Sequence, residues 1–318
     1  MRIGTRGSDL ALWQAHHIEA LLKERAGITP EIVIMESSGD RDQVSSLAGV
    51  GSVGAFTREI EAALLRGDID LAIHSHKDLP TESPDGLVVG AVPGRGPVRD
   101  VLVYRPEAHD PDAAGLPIKQ GAVVGTGSAR RRVQLLAVRP DLEITDLRGN
   151  VPTRLDKLAG RHEQQWNYDA IILAEAGLVR LGIDPSPMKS FLLPTEQFLP
   201  APAQGALAVQ VRAADLAEPG NPLPAALAAL HDAETAACVA AERGVLAAIP
   251  GGCNLPLGCL ATLCPEGVSL SAVLHREGLG MVEARAVAPD PAAAAAAVLA
   301  RLTGDPSADS SADPNPSR

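Results

Sequence analysis

Two stretches of this chain, "IGTRGSDLALWQA" from Ile3 and "VGTGSARRRVQLLA" from Val124, repeat one pattern: an apolar strand, a Gly-Thr turn, a serine and a helix-spaced run. After each, strand-like and helix-like segments keep alternating. "EIVIME", "AFTREIEAALLRG" and "IDLAIHS" follow the first, and "EITDLRG", "VPTRLDKLAG" and "YDAIILAEAGLVRLG" follow the second. Strands separated by helices need crossover connections, so each half predicts a largely parallel sheet. Two related lobes follow, with the cleft between them as the natural ligand site. In the first helix Leu10, Trp13, His17, Ile18, Leu21 and Leu22 recur at helical spacing, with Ser8 as N-cap and Gly27 as stop.

From about residue 223 the pattern changes. "PAALAALHDAETAACVAAERGVLAAI" reads as one long helix, followed by the loop "PGGCNLPLG", three strand-like runs and the closing helix "DPAAAAAAVLARLTG". This grouping predicts a third, α+β unit. The last residues, "DPSADSSADPNPSR", have almost nothing to bury and read as a disordered tail.

The 28 Lys+Arg against 39 Asp+Glu give a net charge of −11, which argues against nucleic acid or an anionic membrane as the main partner. No apolar run approaches a membrane span and the start carries no hydrophobic segment, so the expected location is the cytoplasm. The cysteines, Cys238, Cys253, Cys259 and Cys264, lack C-x-x-C spacing, so no metal site is expected. Cys253 sits on a tight Gly-Gly loop where its sulfur can project; the other three fall in apolar helix or strand patterns and read as buried fillers. No histidine motif supports a Cys-His protease.

In this acidic chain the arginines gather at turns: Arg6 in the first strand-to-helix turn, Arg130, Arg131 and Arg132 in its echo, and Arg148 and Arg154 in "RGNVPTR". Helix N-termini and guanidinium forks together make receptors for carboxylates or phosphates. Neither G-x-G-x-x-G nor G-x-x-x-x-G-K-[ST] is present, so a multi-carboxylate ligand is favoured over a nucleotide. "LAIHSHKDLPT" ends a strand at the sheet edge where α/β ligands bind, which would deliver Asp78 to the cleft mouth. The alternative is a turn aspartate capping the residues before Pro80. Composition does not separate the two.

Six segments in this order resemble the porphobilinogen deaminase (hydroxymethylbilane synthase) family. They are "FTREIEAALLRGDIDLAIHSHKDLPT", "VGTGSARRRVQLL", "LRGNVPTRLDKL", "YDAIILAEAGLVRLG", "LPAPAQGALAVQVR" and "AERGVLAAIPGGCNLPLG". The resemblance implies an α/β fold of two doubly wound lobes like those of periplasmic binding proteins, plus a smaller C-terminal α+β domain. Lobe 1 would hold residues 1–98 and 203–221, lobe 2 residues 99–202, the α+β domain 222–304 and the tail 305–318. It implies a transferase that joins four porphobilinogen units head to tail into hydroxymethylbilane, releasing ammonia, on a dipyrromethane primer held by a thioether to Cys253. Asp78 would be the catalytic carboxylate, with Lys77 and Ser75 beside it. Thr126, Ser128, Arg130 and Arg131 would also bind the cofactor, and Arg6, Ser8, Arg148, Arg154, Arg180 and Gln204 the substrate, with Arg130, Arg131 and Arg148 in an otherwise wet cleft. A monomer that hands its product to uroporphyrinogen-III synthase is expected. The rival reading is a non-catalytic two-lobed anion-binding protein. Two departures from the family pattern are Val53, where many members have lysine, and Gly127, where serine is usual.

Overall fold

The structure, a computed structural model, describes residues 1–35, 55–162, 166–252 and 255–304. Its first sheet begins β1 (Arg2–Arg6), helix α1 (Asp9–Ala26), β2 (Glu31–Met35), α2 (Ala55–Arg66), β3 (Leu71–Ser75) and β4 (Leu87–Ala91). Gly27 ends α1 in the left-handed conformation at φ 67°, as a helix-stop glycine should. The second sheet is built from β5 (Asp100–Tyr104), β6 (Val123–Gly125), α3 (Ala129–Val138), β7 (Glu143–Thr145), α4 (Val151–Ala159), β8 (Ala170–Ala174), α5 (Glu175–Leu181) and β9 (Lys189–Leu192). The chain then returns through β10 (Leu207–Arg212) to the first sheet.

The strand orders are β2-β1-β3-β10-β4 and β7-β6-β8-β5-β9, so the repeat seen in the sequence is a repeat of topology. In each sheet three parallel strands are followed by an antiparallel one, β10 or β5, contributed by a chain segment that crosses between lobes. All five residues of β5 are buried, and its one polar member, Asp100, is fully so.

The two crossings touch where Gly96 N–H donates to the Gly205 carbonyl at 3.0 Å. Gly205 is at φ +84°, and a Cβ there would lie 2.6 Å from the Gly96 oxygen, so only glycine lets these backbones approach. Nearby, Ala203 holds φ 61°, and its N–H is captured at 2.6 Å by the Glu242 carboxylate.

After β10 come α6 (Ala213–Ala217), α7 (Leu223–Leu230) and α8 (Ala233–Ala248), then an antiparallel meander of β11 (Leu257–Cys264), β12 (Gly267–Arg276) and β13 (Gly280–Ala288), closed by α9 (Pro291–Thr303). The single long helix read from the sequence is therefore two helices. His231 is extended at ψ 131°, and Asp232 restarts the helix by accepting from Thr235 N–H at 2.7 Å. Leu223, Ala226, Leu227 and Leu230 of α7 pack with Ile3, Ile18 and Val209 in the first lobe's core, not with the meander. Alpha-8, α9 and the meander share their own aliphatic core, including Val245, Leu270 and Val298. Cys259 and Cys238 are buried there as fillers, whereas Cys264 is only partly covered.

Candidate active site

Strand β3 delivers Ser75 to the sheet edge, and the chain then makes a single 3-10 turn over His76–Asp78. The turn is anchored on both sides: His76 N–H donates to Ala206 O at 3.0 Å, and Leu79 is buried. His74 and His76 point inward. Burial lowers His74 to a pKa of about 4 while its Nε2 pairs with Gln210 Oε1 at 3.1 Å. Burial, then the charge of Arg243, lowers His76 to about 3. Both are therefore neutral at physiological pH and serve as structural groups. Asp78 is exposed.

Three cations from different parts of the chain feel the Asp78 charge. Burial pulls Lys77 down to about 8, partly offset by Asp78. Arg154 on α4 and Arg180 on α5 are each brought to about 10 by burial, again opposed by Asp78. Arg154 is steered by its Nε–H bond to Gly149 O at 2.7 Å. Arg180 donates to Gly205 O at 2.7 Å and lies 5.6 Å from the ring of Trp13, so a first-lobe helix and the crossover both hold a second-lobe guanidinium. This explains why Trp13 is half-buried while the fully covered stripe of α1 runs through Ala15, Ile18 and Leu22.

Beneath this surface lies a buried network that the sequence reading missed. Asp100 is 0% exposed and accepts from Arg130 Nη2 and Arg131 Nη2, each at 2.7 Å. Gln204 Nε2 donates to Asp100 Oδ1 at 2.9 Å and to Val98 O at 2.7 Å, while its Oε1 accepts from Lys77 Nζ at 3.3 Å. The two guanidinium groups, first among the charges acting on it, hold the Asp100 carboxyl far below the usual carboxylate range despite its burial.

A family model described as "Porphobilinogen deaminase, dipyromethane cofactor binding domain" matches residues 1–218 of the chain. The chain belongs to the porphobilinogen deaminase family. A porphobilinogen deaminase of Acidithiobacillus ferrooxidans is 42% identical over 311 residues, spanning 97% of this chain and 96% of its own. One from Nitratidesulfovibrio vulgaris is 44% identical over 268 residues, spanning 83% and 78%. Membership favours the enzyme over the non-catalytic anion-binding reading.

For this porphobilinogen deaminase family member, the structure corrects one expectation about Arg130 and Arg131. They do not line a wet cleft. They are only 4% and 6% exposed, because Asp100 and the carbonyls of Leu199 and Ile172 take their outer donors. Each retains a buried Nε–H without a partner among the described residues. Together with Lys77, Arg154 and Arg180, those donors suit a ligand bearing several carboxylates, so the residues present fit a dipyrromethane with its acetate and propionate groups.

The other expected residues take more varied places. Ser75 Oγ accepts from the buried Gln14 Nε2 at 2.7 Å, and Ser8 stands at the N-terminus of α1 just beyond Arg6. Thr126 is buried, and its Oγ1 accepts from Ser128 N–H at 3.2 Å. Ser128 caps α3 through Arg131 N–H at 3.4 Å. Arg148 is exposed, and its carbonyl is tied to Lys157 Nζ at 3.0 Å. Arg132, the third arginine of the run, pairs with Asp146 at 3.3 Å on the surface. A Cβ on Gly127 would come within 3.1 Å of Leu147 O, a close fit for any side chain. Cys253 and Val53 lie outside the described residues.

Proposed function

We propose that this chain condenses four porphobilinogen molecules head to tail into hydroxymethylbilane with loss of ammonia, and that Asp78 is its central carboxylate. The observation that carries the reading is an exposed carboxylate whose charge is felt by three cations, Lys77 of the first lobe and Arg154 and Arg180 of the second. Porphobilinogen brings an aminomethyl group, a pyrrole N–H and two kinds of carboxylate, so its binding needs cations and its reaction needs an anion.

The cations take the substrate carboxylates by charge-assisted hydrogen bonds and so orient the ring. Departure of ammonia leaves an electron-poor, azafulvene-like cation, and the fixed charge of Asp78 beside the pyrrole N–H stabilises it as it forms. Asp78 is also placed to exchange the proton that leaves with the amine and the one lost when the coupled ring regains aromaticity. Lys77, Arg130, Arg131, Ser75, Thr126 and Ser128 are the residues we assign to holding dipyrromethane, with Cys253 as its thioether anchor; when bound, the group supplies the carbon nucleophile on which the chain grows. Arg6, Ser8, Arg148, Arg154, Arg180 and Gln204 are assigned to the substrate side.

Within this reading the enzyme is a cytoplasmic monomer whose product passes to uroporphyrinogen-III synthase. Among the described residues no helix is long and apolar enough to cross a membrane. The test is direct: purified chain incubated with porphobilinogen should release ammonia and a linear tetrapyrrole. Its intact mass should exceed the sequence mass by two condensed pyrrole units, on Cys253 by peptide mapping. A chain that binds porphobilinogen but releases no ammonia would support an anion receptor instead.

A further inference from the structure

The third unit reaches into the Asp78 turn through one side chain. Arg243, on α8, donates from Nη1 to the carbonyls of His76 at 3.1 Å and Leu79 at 2.9 Å, and from Nη2 to that of Pro80 at 2.6 Å. These three carbonyls bracket Lys77 and Asp78. The turn's own closing bond, Leu79 N–H to His76 O, is long at 3.4 Å, so the guanidinium fork supplements it and the His76 N–H bond to Ala206 O in fixing the turn.

The base of that fork is itself tied down by hydrogen bonds. Glu242, the preceding residue, is fully buried and accepts from Arg95 in a bidentate pair at 2.8 Å, from Ala203 N–H at 2.6 Å and from Ala261 N–H at 2.8 Å. Alpha-8 is thereby tied to the crossover and to β11. Arg243 thus fixes the turn relative to the unit whose sequence continues from α8 to the Gly251-Gly252-Cys253 loop.

We propose that Arg243 is a positioning residue for Asp78, through which the C-terminal unit sets the alignment of the carboxylate; this rests on the reading of Asp78 as the catalytic group. The three described hydrogen bonds of the fork go to main-chain oxygens of the turn, so through them it acts on turnover by way of Asp78. A lysine at this position presents one ammonium on a flexible stem and cannot span the three carbonyls in a fixed plane.

The test is a cycle of Arg243→Lys, Arg243→Leu and Asp78→Glu in the full-length, cofactor-loaded enzyme, with loading checked by intact mass. Arg243→Leu should lower kcat on the order of 10- to 100-fold with KM changed by less than about threefold, and Arg243→Lys should fall between it and the parent. In the Asp78→Glu background, where the carboxylate is already displaced, Arg243→Lys should cost less than about twofold. Loaded Arg243 variants with parental kcat would overturn the proposal, as would the same full loss in the Asp78→Glu background. If Arg243→Leu does not fold, the Arg243→Lys arm carries the same cycle. Should Asp78→Glu itself leave kcat unchanged, the reading of Asp78 fails instead, whatever the Arg243 variants do.

Discussion

Gln204 bridges Lys77 and Asp100, accepting from the ammonium at 3.3 Å and donating to the carboxylate at 2.9 Å. One neutral side chain thus connects the Asp78 turn to the buried charge cluster of the second lobe. Gln204 also lies on the crossover, where its carbonyl accepts from Arg95 Nε at 2.9 Å. Gln204→Leu leaves the buried Asp100 short of one donor and Lys77 short of one acceptor. The urea midpoint should fall by an amount equivalent to about 1–3 kcal/mol. An unchanged midpoint would mean that water or a neighbour replaces both bonds.

Asp100→Asn should be more damaging. It removes the one carboxylate that, among the described residues, pairs with both Arg130 and Arg131, and stranding buried charge costs about 3–5 kcal/mol. Because the folded carboxyl is held below its unfolded value, its contribution is fully present above about pH 4 and is lost as pH falls further. Acid titration of parent and variant checks the sign: the stability gap should be widest near neutral pH and narrow below about pH 4. By the same geometry Arg130→Leu or Arg131→Leu should weaken folding as well as cofactor content, since each leaves Asp100 half-compensated.

The contrast between Asp78 and Asp100 shows what a sequence discloses. "LAIHSHKDLP" carries its own local instructions, a run of buried strand residues stopped by a proline, so the place of Asp78 at the sheet edge was legible. Asp100 looks like any turn residue before "VLVY". Its partners are 30, 31 and 104 positions away, and only the return of the chain through the crossover brings them together. For the same reason the arginine run on α3 read as a solvent-facing anion receptor. The break between α7 and α8 was legible in principle from Asp232, but the alanine-rich flanks suggested continuity. Glu242 and Arg243 gave no local signal, because their partners, the Arg95 guanidinium and main-chain groups of other segments, are distant in sequence.

Lys77, assigned to the primer but the immediate neighbour of Asp78, should also impose an alkaline limit on substrate binding. Its pKa of about 8 means that the cation is lost as pH rises through 8, so KM for porphobilinogen should climb between about pH 7 and 9.5. The stability effect has the opposite sense. The folded state releases this proton more readily than the unfolded chain, so stability contributed by this group rises with pH between the folded value and the ordinary lysine value. Lys77→Arg should move the KM rise to higher pH; a KM profile identical to the parent would remove Lys77 from substrate or primer binding.

Asp78→Asn isolates charge from shape. The side chain is exposed, so the substitution should leave folding within about 0.5 kcal/mol of the parent. The asparagine amide fills the same space and still hydrogen-bonds, yet it offers no anion to an electron-poor pyrrole, and loss of such preorganised stabilisation costs on the order of a thousandfold in turnover. Asp78→Glu keeps the charge but moves it by about one methylene, which should leave a small residual rate. A second readout comes from the neighbours: Asp78 raises the pKa of Lys77, Arg154 and Arg180, so its neutralisation should shift the alkaline rise in KM to lower pH. A cofactor-loaded Asp78→Asn enzyme with parental turnover and an unmoved KM profile would reduce this carboxylate to an ordinary turn residue, and the chemistry would have to be sought in another group of the cleft.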